Sequence, residues 1–257
     1  MQLVNNLWNY RHLTLKLAIS EFKLRYKNSI LGFFWSLLEP LLMLLVLYIV
    51  FTNLMRVNVE HYQLFLLMGI ISWNMLSRGT TMSLNSILGK PSLIQKIYFP
   101  REVLVISTNI TALLMTLLEF IVFGIFMLVF NVAPGMTIIY FPVVLFVEFL
   151  LILGLSFGLA ALNVYYRDVQ YIWGVILQAG FFAAPIIYPI SIIPEKYVWI
   201  IMLNPMTRII DTLRGSVIYS TSPVLGDGMF IVIAALGIFV VGYSIFLRLE
   251  AGFAEEI

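Results

Sequence analysis

From Val103 to Phe130 the chain runs 28 residues with a single charge, Glu119. About 20 consecutive apolar residues cross a bilayer as a helix. Five further stretches share this character, so the apolar runs fall at roughly 33–54, 63–88, 103–130, 141–163, 169–188 and 226–247. Of all residues, 61% are hydrophobic and 11% charged, against about 25% charged in a soluble domain. The bilayer is therefore the expected solvent for most of the chain. The predicted fold class is an all-α membrane protein with six transmembrane helices, an N-terminal amphipathic interface helix, and short outer re-entrant or gate helices between spans five and six. A single transmembrane domain covers 1–257: the interface helix over 1–30, the bundle over 33–247, the outer gate segment over 189–222 and a cytoplasmic tail over 248–257.

Several function classes drop out. There is no cysteine, which removes disulfides and thiolate metal sites. The two histidines, His12 and His61, lie far apart in the sequence, so no metal site is expected. A formal charge of +2 gives no sign of nucleic-acid binding. The first apolar run follows Arg11, Lys16, Lys23, Arg25 and Lys27 and outlasts a signal peptide, so it reads as an uncleaved span.

The placement of charge sets orientation. Among residues 1–30, Leu13, Leu17, Phe22 and Leu24 alternate with the five basic residues, and Trp8 and Tyr10 suit headgroup level. A basic amphipathic helix of this kind lies on a membrane surface. With the N-terminus inside, Lys90, Lys96, Arg101, Arg167 and Arg248 join those five in the cytoplasm, against Arg56, Lys196, Arg208 and Arg214 outside. The basic excess marks the cytoplasmic side, so both termini are expected there, in agreement with an even number of spans. Between spans five and six, Pro189, Pro194, Asn204-Pro205, Arg208, Asp211 and Arg214 interrupt the apolar pieces. Burying three charges in a seventh span would cost about 2.5–3.5 kcal/mol each, so two short helices dipping into the outer interface are predicted.

Charged and polar residues inside the spans are the candidate functional groups, because lipid-facing charge is costly. Glu39, Glu119 and Glu148 each read either as part of a polar path or as a packing carboxylate bonded to a neighbouring helix. Glu39 also precedes Pro40, which removes one helical hydrogen bond. Asn74, Arg78, Thr81 and Asn85 are spaced four, three and four apart, with Ser77 beside them, and so share one helix face. Such a stripe lines a water-filled path or bonds across helices. Gly154–Gly158 fits both the nucleophile-elbow pattern and the G-x-x-x-G packing pattern. With no base in reach of Ser156, packing is the reading adopted. Gly89-Lys90-Pro91-Ser92 ends like a phosphate-binding loop, but Leu84 stands where the first glycine is required. Residues 89–101 hold Leu93, Ile94, Ile97, Tyr98 and Phe99, too many apolar side chains for a solvated loop, and suggest docking on a partner.

The segment RYKNSILGFFWSLLEPLL (25–42) after a basic helix, with LIQKIYFPRE (93–102), YYRD (165–168) and LNPMTRIID (203–211), resembles the permeases of type-2 ABC exporters for polysaccharides, including O-antigen, capsule and teichoic-acid exporters. The resemblance covers nearly the whole chain. It implies a homodimer in the prokaryotic cytoplasmic membrane with two separate ATPase subunits that bind ATP and Mg, so that this chain is not an enzyme and holds no cofactor. It implies a lipid-linked glycan as cargo. Pro91, Ser92, Leu93, Ile94, Gln95, Lys96, Ile97, Tyr98 and Phe99 would form the ATPase-coupling loop. Asn204, Pro205, Arg208, Asp211 and Arg214 would belong to the outer gate. Relatives line their channel with aromatic rings, so Phe33, Phe34, Trp35, Trp73, Phe181 and Phe182 join Glu39, Asn74, Arg78, Thr81 and Asn85 as channel-lining candidates.

Two rival readings are a type-2 ABC permease for small amphiphiles and an intramembrane enzyme acting on lipid-linked substrates. The second needs Ser156 as a nucleophile. Ser156→Ala is expected to leave both folding and transport intact in a membrane export assay; loss of function in a folded Ser156→Ala chain would revive the enzyme.

Overall fold

The structure is a computed structural model that describes residues 6, 8–27, 29, 31–32, 34–54, 59–91 and 99–256. Among these residues it is helical throughout, with no strand. The helices are α1 (Arg11–Tyr26), α2 (Phe34–Ile49), α3 (Tyr62–Leu84), α4 (Glu102–Val129), α5 (Tyr140–Tyr165), α6 (Val169–Ala183), α7 (Glu195–Met202), α8 (Pro205–Val217) and α9 (Leu225–Leu249), with a last turn, α10 (Phe253–Glu256).

Four helical segments are long and apolar enough to cross a membrane: Phe34–Thr52, Glu102–Val129, Met136–Tyr165 and Leu225–Gly252. Their outward faces stay apolar. On α9, for example, Leu225, Met229, Ile233, Leu236 and Val240 are exposed, and a narrow stripe of Ile231, Ala235, Gly242 and Phe246 is buried. That division suits lipid on one side and protein on the other. The two remaining helices of the predicted bundle differ for physical reasons. Helix α3 has 23 residues and is almost wholly buried. It sits at the centre of the bundle, so its polar residues meet protein and not lipid. Helix α6 has 15 residues, about 22 Å at 1.5 Å per residue. It stops at Ala183, before the expected end at 188, because Pro185 drives Ala184 into extended backbone.

Hydrogen bonds between side chains stitch the centre together. The Asn109 amide on α4 donates to Ser83 Oγ on α3 at 2.8 Å, and Ser156 Oγ on α5 donates to Asn109 Oδ1 at 3.1 Å. Asn163 of α5 donates to the Leu84 carbonyl at 2.8 Å, and the Trp173 indole of α6 to Thr80 Oγ1 at 2.8 Å. In an apolar solvent these bonds, with close backbone approach, hold helices together. Ser156 is thus a buried packing residue. Gly154 and Gly158 face α9 at Phe239 and Gly242, and a Cβ on Gly154 would lie 2.5 Å from the Phe239 Cα.

Residues 189–222 form a run of short helices, with a 3₁₀ turn at Ile190–Ile192 before α7 and α8. Asn204 caps α8 by accepting from the Met206 N–H at 3.0 Å, with Pro205 in the first turn. Within the expected tail, 248–257, the chain turns back after Leu249 and buries Phe253 completely, because that aromatic ring finds apolar partners at the base of the bundle.

A Cβ on Gly242 would run into the Gly154 carbonyl, whereas Gly237 on the same helix faces open space. Gly242→Ala is expected to cost about 1–3 kcal/mol. Thermal unfolding in detergent should show a clear loss for Gly242→Ala and none for Gly237→Ala.

Candidate functional site

A cleft of about 690 Å³ opens between α1, α2 and α3. Glu21 and Arg25 reach it from α1, Glu39 from α2, and Asn74, Ser77, Arg78, Thr81 and Asn85 from α3, with Lys90 at its rim. The polar stripe expected on one helix face thus lines one cavity. Periodicity made it visible: residues four, three and four apart in α3 project in one direction.

Charge in the cleft is nearly balanced. Arg78 Nη2 pairs with Glu119 Oε1 of α4 at 2.6 Å, with both side chains buried. This pairing gives Glu119 the packing role and leaves Arg78 on the cleft wall. Arg78 Nη1 and Glu119 Oε2 have no partner among the described residues. Lys90 Nζ pairs with Glu21 Oε2 at 3.2 Å and ties the end of α3 to α1. Arg25 and Glu39 make no salt bridge among the described residues. The cleft therefore offers cations, carboxylates, amides and hydroxyls together, a surface rich in both hydrogen-bond donors and acceptors. Glu148 is separate from it: fully buried on α5, with neither oxygen paired among the described residues.

The aromatic candidates part company. Trp73 and Phe181 are buried and pack edge to face at 6.3 Å between α3 and α6, with Trp73 also against Gly180. Phe34, Trp35 and Phe182 are exposed on the outside of the chain. Phe33 lies outside the described residues, as do Ser92, Leu93, Ile94, Gln95, Lys96, Ile97 and Tyr98 of the expected coupling loop. At the loop's edges, Pro91 is exposed and Phe99 is buried with Val103 and Leu104 against Tyr10, Leu13 and Leu17.

The outer-segment residues have distinct roles. Arg208 pairs with Asp227 at the start of α9, lies 4.2 Å over the Phe230 ring and donates to the Met202 carbonyl at 2.6 Å. Asp211 is exposed. Arg214, expected on the outer side and in the outer gate, is completely enclosed. Its Nε donates to the Phe65 carbonyl at 3.0 Å, Nη1 to Pro185 at 2.6 Å and Nη2 to Ile186 at 2.8 Å. The guanidinium also stacks 3.4 Å over Phe65. Burial pulls its pKa below the usual guanidinium value, with the charge of Asp211 opposing. Sequence gave no local sign of this role, because the carbonyls it satisfies lie 28 or more residues away.

A helical bundle with lipid-suited outer faces and a polar cleft fits a multi-pass membrane protein. Comparison with known proteins makes this specific: the ABC-2 type transporter family matches residues 13–218, and the chain belongs to that family. It is 31% identical to the O-antigen export system permease protein RfbA of Myxococcus xanthus over the full length of both chains. It is 32% identical to the protein of the same name from Klebsiella pneumoniae over 91% of each. It is 28% identical to the polysialic acid transport protein KpsM of Escherichia coli over 78% of this chain and 79% of that one.

Removing one partner of a buried ion pair leaves the other charge stranded, at about 3–5 kcal/mol. Arg78→Met is expected to destabilise the chain by that order. Arg78→Met with Glu119→Leu should regain most of the loss in the same thermal unfolding measurement.

Proposed function

We propose that this chain is the permease subunit of an ATP-driven exporter of lipid-linked polysaccharide, of the O-antigen, capsule or teichoic-acid type, in a prokaryotic cytoplasmic membrane. Six spans with both termini in the cytoplasm fit the basic-residue count, with α3 central and α6 continued by its extended exit. Two copies form the transporter, and two separate ATPase subunits bind ATP and Mg and drive it. Helix α1 lies along the cytoplasmic interface, residues 91–99 meet the ATPase, and 189–222 gate the outer side.

The observation that carries this reading is the cleft between α1, α2 and α3. Its wall mixes Asn74, Ser77, Thr81 and Asn85 with both signs of charge. Hydroxyls of a sugar chain can be bonded by every one of these groups. A permease for small apolar amphiphiles would want an aliphatic wall, because unpaired polar groups facing an apolar cargo lose their hydrogen bonds. The curated relatives named for O-antigen and polysialic acid agree with a polysaccharide cargo.

The tagged chain, purified from its own membrane in mild detergent, is expected to carry a stoichiometric nucleotide-binding partner. Mass analysis should give two copies of each chain, and lipid-linked glycan should raise ATP hydrolysis. A chain that comes out alone, under conditions that preserve other membrane complexes, contradicts the proposal.

A further inference from the structure

The C-terminus does more than end the last span. After Leu249 a 3₁₀ turn, Glu250–Gly252, folds the chain back and plants Phe253 in the base of the bundle. Its ring lies 5.5 Å from Phe246 of α9 and 6.2 Å from Tyr165 at the end of α5. The Tyr165 hydroxyl donates to the Leu249 carbonyl at 2.9 Å. Arg101 donates to the Glu250 carbonyl, and its guanidinium sits 5.8 Å over the Phe253 ring, within the range of a cation–π contact. Gly252 is needed for the fit, since a Cβ there would strike the Tyr165 hydroxyl.

Three cytoplasmic ends therefore meet at one ring: the start of α4, the end of α5 and the end of α9. The first is the exit of loop 91–99. The same stretch is also held by the N-terminal segment, through Phe99 packed against α1 and an Asn6 amide that donates to Glu102 Oε1 at 3.0 Å. The loop's exit is thus fastened on two sides, once by the N-terminal segment and once by the C-terminal one.

We propose that this C-terminal hook is a coupling element, in which Phe253 and Arg101 position the exit of loop 91–99 against α5 and α9 so that the three move as one body. A push on the loop then reaches two bundle helices directly. The inference rests on the reading of 91–99 as the contact with a partner ATPase. Phe253 is a positioning residue and touches no cargo.

The test uses the full complex of permease and ATPase in membrane vesicles supplied with lipid-linked polysaccharide and ATP. Phe253→Ala is expected to lower export at least tenfold, while assembled complex and glycan-free ATP hydrolysis stay within twofold of the unaltered chain. Phe253→Leu, which keeps the apolar bulk, should export within threefold. Gly252→Ala should uncouple in the same way, and adding Tyr165→Phe should restore export by removing the clash. The absence of cysteine allows spin labels at Pro100→Cys and Leu247→Cys in an otherwise unaltered background. Their distance should be narrow and indifferent to ATP, and should broaden with Phe253→Ala. Unchanged export and distance in Phe253→Ala overturn the proposal. So does an equal fall of assembly, hydrolysis and export, which would mean fold maintenance alone. If the unaltered chain shows no ATP-driven export, the transport reading fails, and the label distance judges the hook by itself.

Discussion

Backbone that leaves a helix inside a bilayer must find its hydrogen bonds within the protein, because the hydrocarbon offers none. The stretch after α6 is buried among apolar side chains and satisfies its carbonyls in this way, through two side chains. Arg214 bonds the Pro185 and Ile186 carbonyls, and the Tyr62 hydroxyl bonds that of Ile187 at 2.7 Å. Both also belong to elements that must be placed: Arg214 to α8, Tyr62 to the start of α3. One set of bonds therefore satisfies the backbone freed where Pro185 ends α6 and fixes α8 over the central helix. Gly69 makes room for it, as a Cβ there would lie 2.6 Å from Arg214 Nη2.

The same economy shapes the interior. Helix α3 sits at the centre of the bundle, so Asn74, Ser77, Arg78 and Thr81 open onto the cleft between α1, α2 and α3. Glu119 takes one edge of the Arg78 guanidinium and leaves the residue part of the cleft wall. Glu21 and Lys90 join α1 to the end of α3 across the rim. The cleft is thus bounded by α1, which is tied to Lys90 on one side of residues 91–99 and packs against Phe99 on the other.

How much of this could be read beforehand follows the reach of each interaction along the chain. The α3 stripe and the Gly154–Gly158 packing face depend on spacing within one helix, and both stood out in the sequence. The short outer helices were marked by Pro194 and Asn204-Pro205. Pro185 was an available sign that α6 stops early, hidden by the apolar residues on either side. The pairing of Arg78 with Glu119, of Glu21 with Lys90, and the enclosure of Arg214 and Phe253 join positions tens of residues apart. No local pattern encodes such partners, so nothing near Arg214 in the chain marked its enclosure. Gly242 had no motif of its own, although it completes the contact that Gly154 begins.

The claim on which the account turns is that polysaccharide passes along the cleft between α1, α2 and α3. A photo-crosslinking amino acid placed at Thr81, on the cleft wall, can be compared with one at Val175, exposed on α6. In vesicles given lipid-linked polysaccharide, the Thr81 probe is predicted to crosslink the glycan, and to do so more when ATP is present, while the Val175 probe captures lipid alone. Glycan captured at Val175 and none at Thr81 would contradict the account and move the path to the outer face of α6.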